Sequence, residues 1–301
     1  MTEQGLIEGL KKLREEKNAI ILAHNYQIPE IQDVADFVGD SLELVQQAAK
    51  TDAAVIVLSG VYYMAESVKI AAPAKKVLLP VLDAGCTMAN MIQQEQLRVF
   101  RMEYPDIPIL CYINSSAEVK AESDLCCTAS NAVSLVRGMK ADKILFVPDQ
   151  NMGSYIATQA PDKEIISWDG FCMTHHMVRP AEVDANRSRH PGALVLVHPE
   201  CTAAVVERAD FVGSTTEIIN YARQSEKKEF IVGTEMGVLH RLRKENPDKK
   251  FYLLSPVLTC FNMKKTALTD LYWALEKEQH EIKIHEDILE KARLCMEKLF
   301  V

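Results

Sequence analysis

Three cysteines, Cys86, Cys172 and Cys260, each follow an apolar run and recur in steps of 86 and 88 residues. Thiolates are soft ligands that suit zinc and iron–sulfur clusters. A single cysteine after a buried strand is more often a small core residue, but the regular return of these three favours a shared metal. Three thiolates leave two choices. Zinc would take a fourth ligand, such as His175, or an open water. A [4Fe–4S] cluster would leave one iron open as a Lewis acid. Five further cysteines are present and no CxxC, so a zinc ribbon or thioredoxin-type pair lacks its usual spacing. Cys111 and Cys201 flank polar clusters and are expected to border the site. Cys126, Cys127 and Cys295 read as core or surface thiols.

The polar clusters supply acid–base groups. HNYQ begins at His24, YINSS at Tyr112 and HPEC at His198. Residues two apart share one face of an extended chain, which pairs His24 with Tyr26, Tyr112 with Asn114 and His198 with Glu200. Histidine transfers protons near neutrality, and burial tunes Glu or Tyr toward it. Ser41, Ser214 and Thr215 lie in turns expected to open helices, where hydroxyls and backbone N–H groups cap the helix or receive an anion. Lys264 and Lys265 follow Cys260 and are expected either to balance anionic ligands or to lie in a solvated helix end.

The elements that must position these groups also repeat. First strands are expected at Ala19–His24, Ile107–Tyr112 and Ala193–His198, each leading through a helical stretch to Asp36, Asp124 or Asp210. Second strands follow at Ala54–Ser59, Ile144–Pro148 and Phe230–Gly233, and then a methionine expected to open a helix, Met64, Met152 or Met236. Third strands at Val77–Val81, Glu164–Trp168 and Phe251–Ser255 run into the three cysteines. Further helices are expected near Ala89–Tyr104, Arg179–Arg189, Thr266–Glu276 and Glu286–Phe300. Strand–helix alternation implies parallel sheets covered by helices. The expected fold is therefore α/β: three pseudo-threefold-related αβα units with short parallel sheets around a central active site. The units span 1–90, 91–176 and 177–263, with a C-terminal helical segment at 264–301. The net charge of −8 disfavours nucleic acid as a partner. The N-terminal stretch lacks an apolar signal core and no 18 apolar residues run together, so a cytoplasmic, membrane-free location is expected.

Taken together, AHNYQ (Ala23–Gln27), ADFVGDSLEL (Ala35–Leu44), GCTMAN (Gly85–Asn90), YINSSAE (Tyr112–Glu118), CMTH (Cys172–His175), HPEC (His198–Cys201), GST (Gly213–Thr215) and CFNMKK (Cys260–Lys265) resemble the quinolinate synthase family. The resemblance covers nearly the whole chain. It implies a [4Fe–4S] cluster on Cys86, Cys172 and Cys260. The implied reaction joins iminoaspartate to dihydroxyacetone phosphate and gives quinolinate, phosphate and water in de novo NAD biosynthesis. Proton transfers are implied for Tyr26, His24, His175 and Glu200, and substrate contacts for Ser41, Tyr112, Ile113, Asn114, His198, Pro199, Glu200 and Thr215, with His24 and Ser214 beside them. An L-aspartate oxidase or dehydrogenase would supply the imine. Where the family usually has Thr-Ser-x-Asn-Ala, this chain has Thr128-Ala129-Ser130-Asn131-Ala132, so either Thr128 or Ser130 is expected to substitute for the usual serine, or one carboxylate contact is expected to be weaker. Thr87 stands where many relatives carry proline. The alternatives are another cluster-dependent dehydratase or lyase, and a repeat-built module that binds a small anion.

Overall fold

Short apolar runs separated by amphipathic helices fold into three small parallel sheets in a computed structural model that describes residues 2–300. The first sheet contains β1 (Ala19–His24), β2 (Phe37–Gly39), β3 (Val55–Ser59) and β4 (Lys76–Leu78). The second has β5 (Ile109–Tyr112), β6 (Leu125–Cys127), β7 (Lys143–Val147) and β8 (Glu164–Ser167), and the third β9 (Leu194–Val197), β10 (Phe211–Val212), β11 (Glu229–Gly233) and β12 (Lys250–Leu253). The spatial orders are β2-β1-β3-β4, β6-β5-β7-β8 and β10-β9-β11-β12, one pattern built three times. In each sheet the chain leaves the central pair in opposite directions, and the crevice at such a switch point is where open α/β sheets receive ligands. His24 and Tyr112 end β1 and β5, and His198 follows β9.

The expected α/β fold is therefore observed, with local differences that have physical causes. β4 stops at Leu78 rather than Val81, because Pro80 cannot donate to a ladder. β7 stops before Pro148 for the same reason. The helix expected over Ala89–Tyr104 is a 3-10 turn, Ala89–Met91, and a separate helix, Gln94–Glu103; Ile92 between them is extended. Met64 and Met152 are buried in helices, but Met236 is exposed and precedes the helix Val238–Glu245.

The chain parts into two compact units. One comprises the described parts of Met1–Pro105, Ile113–Cys126 and Phe261–Val301, the other Asp106–Tyr112 and Cys127–Cys260. In the first, Leu6, Leu10 and Leu13 lie one turn apart on the helix Glu3–Glu16. They pack with Ile21, Val55 and Val57 of the sheet and with Leu268, Leu271 and Leu275 of the helix Leu268–Lys277. In the second, alternation across the third sheet sends Val195, Val197 and Ile231 into one cluster and Leu196, Phe230 and Val232 into another. The landmark aspartates are anchors: Arg14 bridges Asp36 at 2.5 Å, Arg101 bridges Asp124 at 2.9 Å and Arg187 bridges Asp210 at 2.9 Å. Asp36 and Asp210 also accept the N–H of Ile21 and Val195 within the central strands.

Glu66 is buried in the first unit, where it accepts the Ala117 N–H at 3.1 Å near the buried Lys120. Lys120 donates to the Ser115 carbonyl and lies over the Tyr63 ring. Burial pushes the Glu66 carboxyl up to about 7, with Glu118 adding to the rise and Lys120 and the Ala117 N–H opposing it. Between its unfolded value and about 7 the folded chain holds a proton that the unfolded chain has released. Stability from this group is therefore full below pH 4.5 and falls as pH rises toward 7, by on the order of 3 kcal/mol. Glu66→Gln should flatten that slope. Urea midpoints of the metal-free protein at pH 5 and pH 8 would check it, and an equal drop in wild type and variant would refute it.

Candidate active site

In the second unit the residues after β9 turn sharply, with the Cys201 N–H donating to the His198 carbonyl across Pro199. The turn returns the Glu200 N–H to His198 Nδ1 at 3.2 Å. A ring nitrogen that accepts leaves the proton on Nε2. Glu200 is 4% exposed. Tyr112, at the end of β5, donates its hydroxyl to Glu200 Oε1 at 2.8 Å. His175 Nδ1 is 2.9 Å from the other oxygen, Oε2.

His175 rises from the short helix Met173–His176, which Cys172 precedes. Its Nδ1 is 3.3 Å from Cys172 Sγ, and its Nε2 is 3.0 Å from the hydroxyl of the buried Thr234. With Glu200 ionised, these partners give His175 the opposite tautomer to His198: Nδ1 holds the proton and Thr234 donates to Nε2. The two rings stack with centroids 4.9 Å apart. Asn151 bridges the Glu200 carbonyl and His176 Nδ1, at 3.0 Å each.

Electrostatics separate the roles. Burial opposes the ionised form of Glu200, but the two imidazoles and the Tyr112 hydroxyl outweigh it and hold the carboxyl below its ordinary range. Burial lowers His198 to about 4; the Glu200 charge opposes that fall and His175 adds to it. His198 is thus a neutral donor at pH 7. Burial and then the Glu200 charge push Asp149 upward. The chemical result is an ionised base with two proton donors in contact. Cys172, His175 and Glu200 also offer ligand atoms all within 4.8 Å of one another.

The first unit carries His24, Tyr26, Ser41, Ile113, Asn114 and Cys86. His24 Nδ1 accepts the Tyr26 N–H at 3.1 Å, repeating the His198–Glu200 turn, and the His24 and Tyr26 rings meet edge to face at 4.4 Å. Lys264 donates to the Tyr26 carbonyl, and Lys265 holds Asp83 Oδ2 at 2.8 Å, so both lysines tie turns together. Ile113 is buried and Asn114 partly exposed. Cys86 lines a cleft of about 170 Å³ with Tyr62, Tyr63, Glu66 and Ser116.

The three helix starts differ. Asp40, not Ser41, caps the helix Ser41–Lys50, and Ser214 caps Thr215–Gln224, which leaves Ser41 and Thr215 at the first helical position. In the second copy the helix begins later, at Ala132, because Asn131 Oδ1 captures the Thr128 N–H at 2.7 Å. Ser130 is exposed and bonded to the Thr128 hydroxyl at 2.9 Å.

Cys86, Cys172 and Cys260 are partly exposed, whereas Cys111, Cys126, Cys127, Cys201 and Cys295 are buried. Cys111 and Cys201 donate to the carbonyls of Tyr112 and Gly233 and act as core thiols. Thr234, Asn151 and Asp149 lay outside the sequence expectation. Thr234 and Asn151 are common types without a diagnostic neighbour. Asp149 carried one usable signal, since Glu235 follows it at the repeat interval of 86.

An ionised buried base held by a tyrosine and a histidine, beside a thiol at the carboxyl ends of parallel strands, is the arrangement of an enzyme site equipped for acid–base chemistry, with groups able to ligate a metal. Residues 8–301 match the family model described as quinolinate synthetase A protein. The quinolinate synthase of Alkaliphilus metalliredigens is 63% identical over 97% of this chain and 96% of its own length. Those of Caldicellulosiruptor bescii and Clostridium kluyveri are 54% and 52% identical, over 97% and 99% of this chain and 98% and 99% of their own. The chain belongs to the quinolinate synthetase A family, and it is an enzyme of NAD biosynthesis.

Proposed function

We propose that the enzyme condenses iminoaspartate with dihydroxyacetone phosphate to form quinolinate, with release of phosphate and water, using a [4Fe–4S] cluster on Cys86, Cys172 and Cys260. The observation that carries this reading is the Tyr112–Glu200–His175–Cys172 contact chain, which joins acid–base groups to a thiol. The cysteines support it by their exposure: these three are partly open while the other five are buried. Soft thiolates on a repeated frame fit such a cluster. When bound, the cluster supplies a Lewis acid for removal of water.

The chain's own groups do the rest. Glu200 receives a proton at its carboxylate, His175 holds one at Nδ1, and His198 offers Nε2–H to a substrate oxygen. Tyr26 and His24 serve proton transfers in the first unit. Ser41 and Thr215, at helix starts behind the caps Asp40 and Ser214, receive carboxylate or phosphate. Tyr112, Ile113, Asn114, Pro199 and Ser130 complete the substrate contacts. Oxidation of aspartate by an oxidase or dehydrogenase supplies the imine, in the cytoplasm. In keeping with that location, no helix among the described residues is long and apolar enough to cross a membrane.

Anaerobic reconstitution, a visible spectrum, metal and sulfide analysis and a quinolinate assay test the proposal together. About four irons per chain and quinolinate from the two substrates are expected. A second reading, one zinc at Cys172, His175 and Glu200, is favoured by their clustered ligand atoms. Zinc without iron or sulfide would select it and overturn the cluster.

Ala129 sits one repeat from Ser41 and Thr215, where both other copies carry a hydroxyl. Ala129→Ser should lower KM for iminoaspartate about two- to tenfold, the worth of one hydrogen bond, with kcat unchanged. An unaltered or higher KM would show that Ser130 or Thr128 already fills the role.

A further inference from the structure

Each of the three cysteines follows a backbone bridge. The Tyr62 N–H donates to the Ala84 carbonyl, Gln150 to Gly170 and Met236 to Leu258, 2.8 Å in every case. The accepting carbonyl always lies two residues before the cysteine. In two of these frames the residue before the donor is a fully buried acid, Asp149 or Glu235. Asp149 Oδ1 accepts the Met152 N–H at 2.8 Å, while Oδ2 accepts the N–H of Cys172 at 3.2 Å. Glu235 repeats the device, with Oε2 on the Gly237 N–H at 2.7 Å and Oε1 on the Cys260 N–H at 3.0 Å. The first frame has Val61 in that place, and a valine side chain accepts no hydrogen bond.

A buried acid is costly unless its partners compensate. Helix capping explains only half of the Asp149 bonds, since serine or asparagine caps as well without the burden of a buried charge. It explains less at Glu235, where the donating N–H, that of Gly237, belongs to a turn ahead of the helix. What the two sites share is the second oxygen, spent in both on the amide of a cysteine. Groups of this kind, one step behind a ligand, fix its orientation before metal arrives.

We infer that Asp149 and Glu235 are positioning residues, whose carboxylates clasp the Cys172 and Cys260 backbone in the ligand pose. The inference rests on reading these cysteines as the metal ligands.

Asp149→Ser keeps a helix cap but cannot span to Cys172. Glu235→Ala removes both acceptors, and Glu235→Gln, the conservative variant, restores one. Amide hydrogen exchange of the metal-free chains is the first readout. Asp149→Ser should speed exchange at Cys172 and leave Cys260 unchanged, and Glu235→Ala should do the reverse. The second readout is iron release from anaerobically loaded protein to a ferrous chelator, expected to quicken about 10- to 100-fold in both, with partial recovery in Glu235→Gln. Unchanged exchange and release would overturn the clasp while leaving the cofactor reading intact. Faster exchange at both cysteines from either substitution would also overturn it, because that marks a general loosening of the unit. Wild-type protein that takes up no iron would instead overturn the cofactor reading, and the role assigned to the clasp with it.

Discussion

Glu200→Gln is expected to cut quinolinate formation about 10²- to 10⁴-fold, the usual worth of a positioned acid–base group. The amide has the same shape and keeps one acceptor for Tyr112 or His175, so the chain should remain folded. What it loses is the charge. Burial alone would protonate this group, and the two imidazoles and the Tyr112 hydroxyl reverse that preference. A glutamine lacks the charge that the surroundings stabilise, and its NH2 faces one of two groups that donate to the native carboxylate. Single-turnover assays on iron-loaded protein separate the effect from cofactor loss. Wild-type turnover in the variant would remove Glu200 from the proton path.

The larger loss is expected from Cys172→Ala. The variant should purify colourless under anaerobic conditions and lose roughly 10³-fold or more in turnover, since Lewis-acid stabilisation is worth several kcal/mol. Cys295→Ala is the matched control. That thiol is 2% exposed within the helix Glu286–Met296, so its removal should leave colour and activity in place. Bleaching by both substitutions would point to general instability. Retained colour in Cys172→Ala would exclude Cys172 as an essential ligand.

Much of the architecture was legible because the chain repeats its landmarks, and the structure explains why those residue types recur. Asp36, Asp124 and Asp210 stood out in the sequence, and each holds an arginine from the helix preceding the first strand of its sheet. The arginines, at 14, 101 and 187, recur in steps of 87 and 86, yet one charged residue in an amphipathic helix carries no signal by itself. Apolar runs revealed the strands, and prolines trimmed their ends. The pairing of His198 with Glu200 was expected from alternation but is made by the turn after β9, and the contact with His175 had no such signal. That contact requires a short helix to raise the ring beside a turn 23 residues further on, which no local pattern encodes. Met236 misled for a related reason. The repeat fixed its place in the chain, while the turn that the Glu235 side chain organises there delays the helix to Val238.

Leu268, Leu271 and Leu275 complete the cluster that covers Ile21, Val55 and Val57, which has a consequence for the nascent chain. The strands of each sheet come from one contiguous stretch and can pair soon after leaving the ribosome. At 5–20 residues per second, β1 to β4 are exposed many seconds before Leu275 is made. During that interval one face of the first sheet has its N-terminal helix but not its later cover. The second unit, Asp106–Tyr112 with Cys127–Cys260, needs no such wait. Synthesis therefore finishes the middle of the chain first and closes the beginning last, and the apolar face around Ile21 is the surface that a ribosome-bound chaperone would meet.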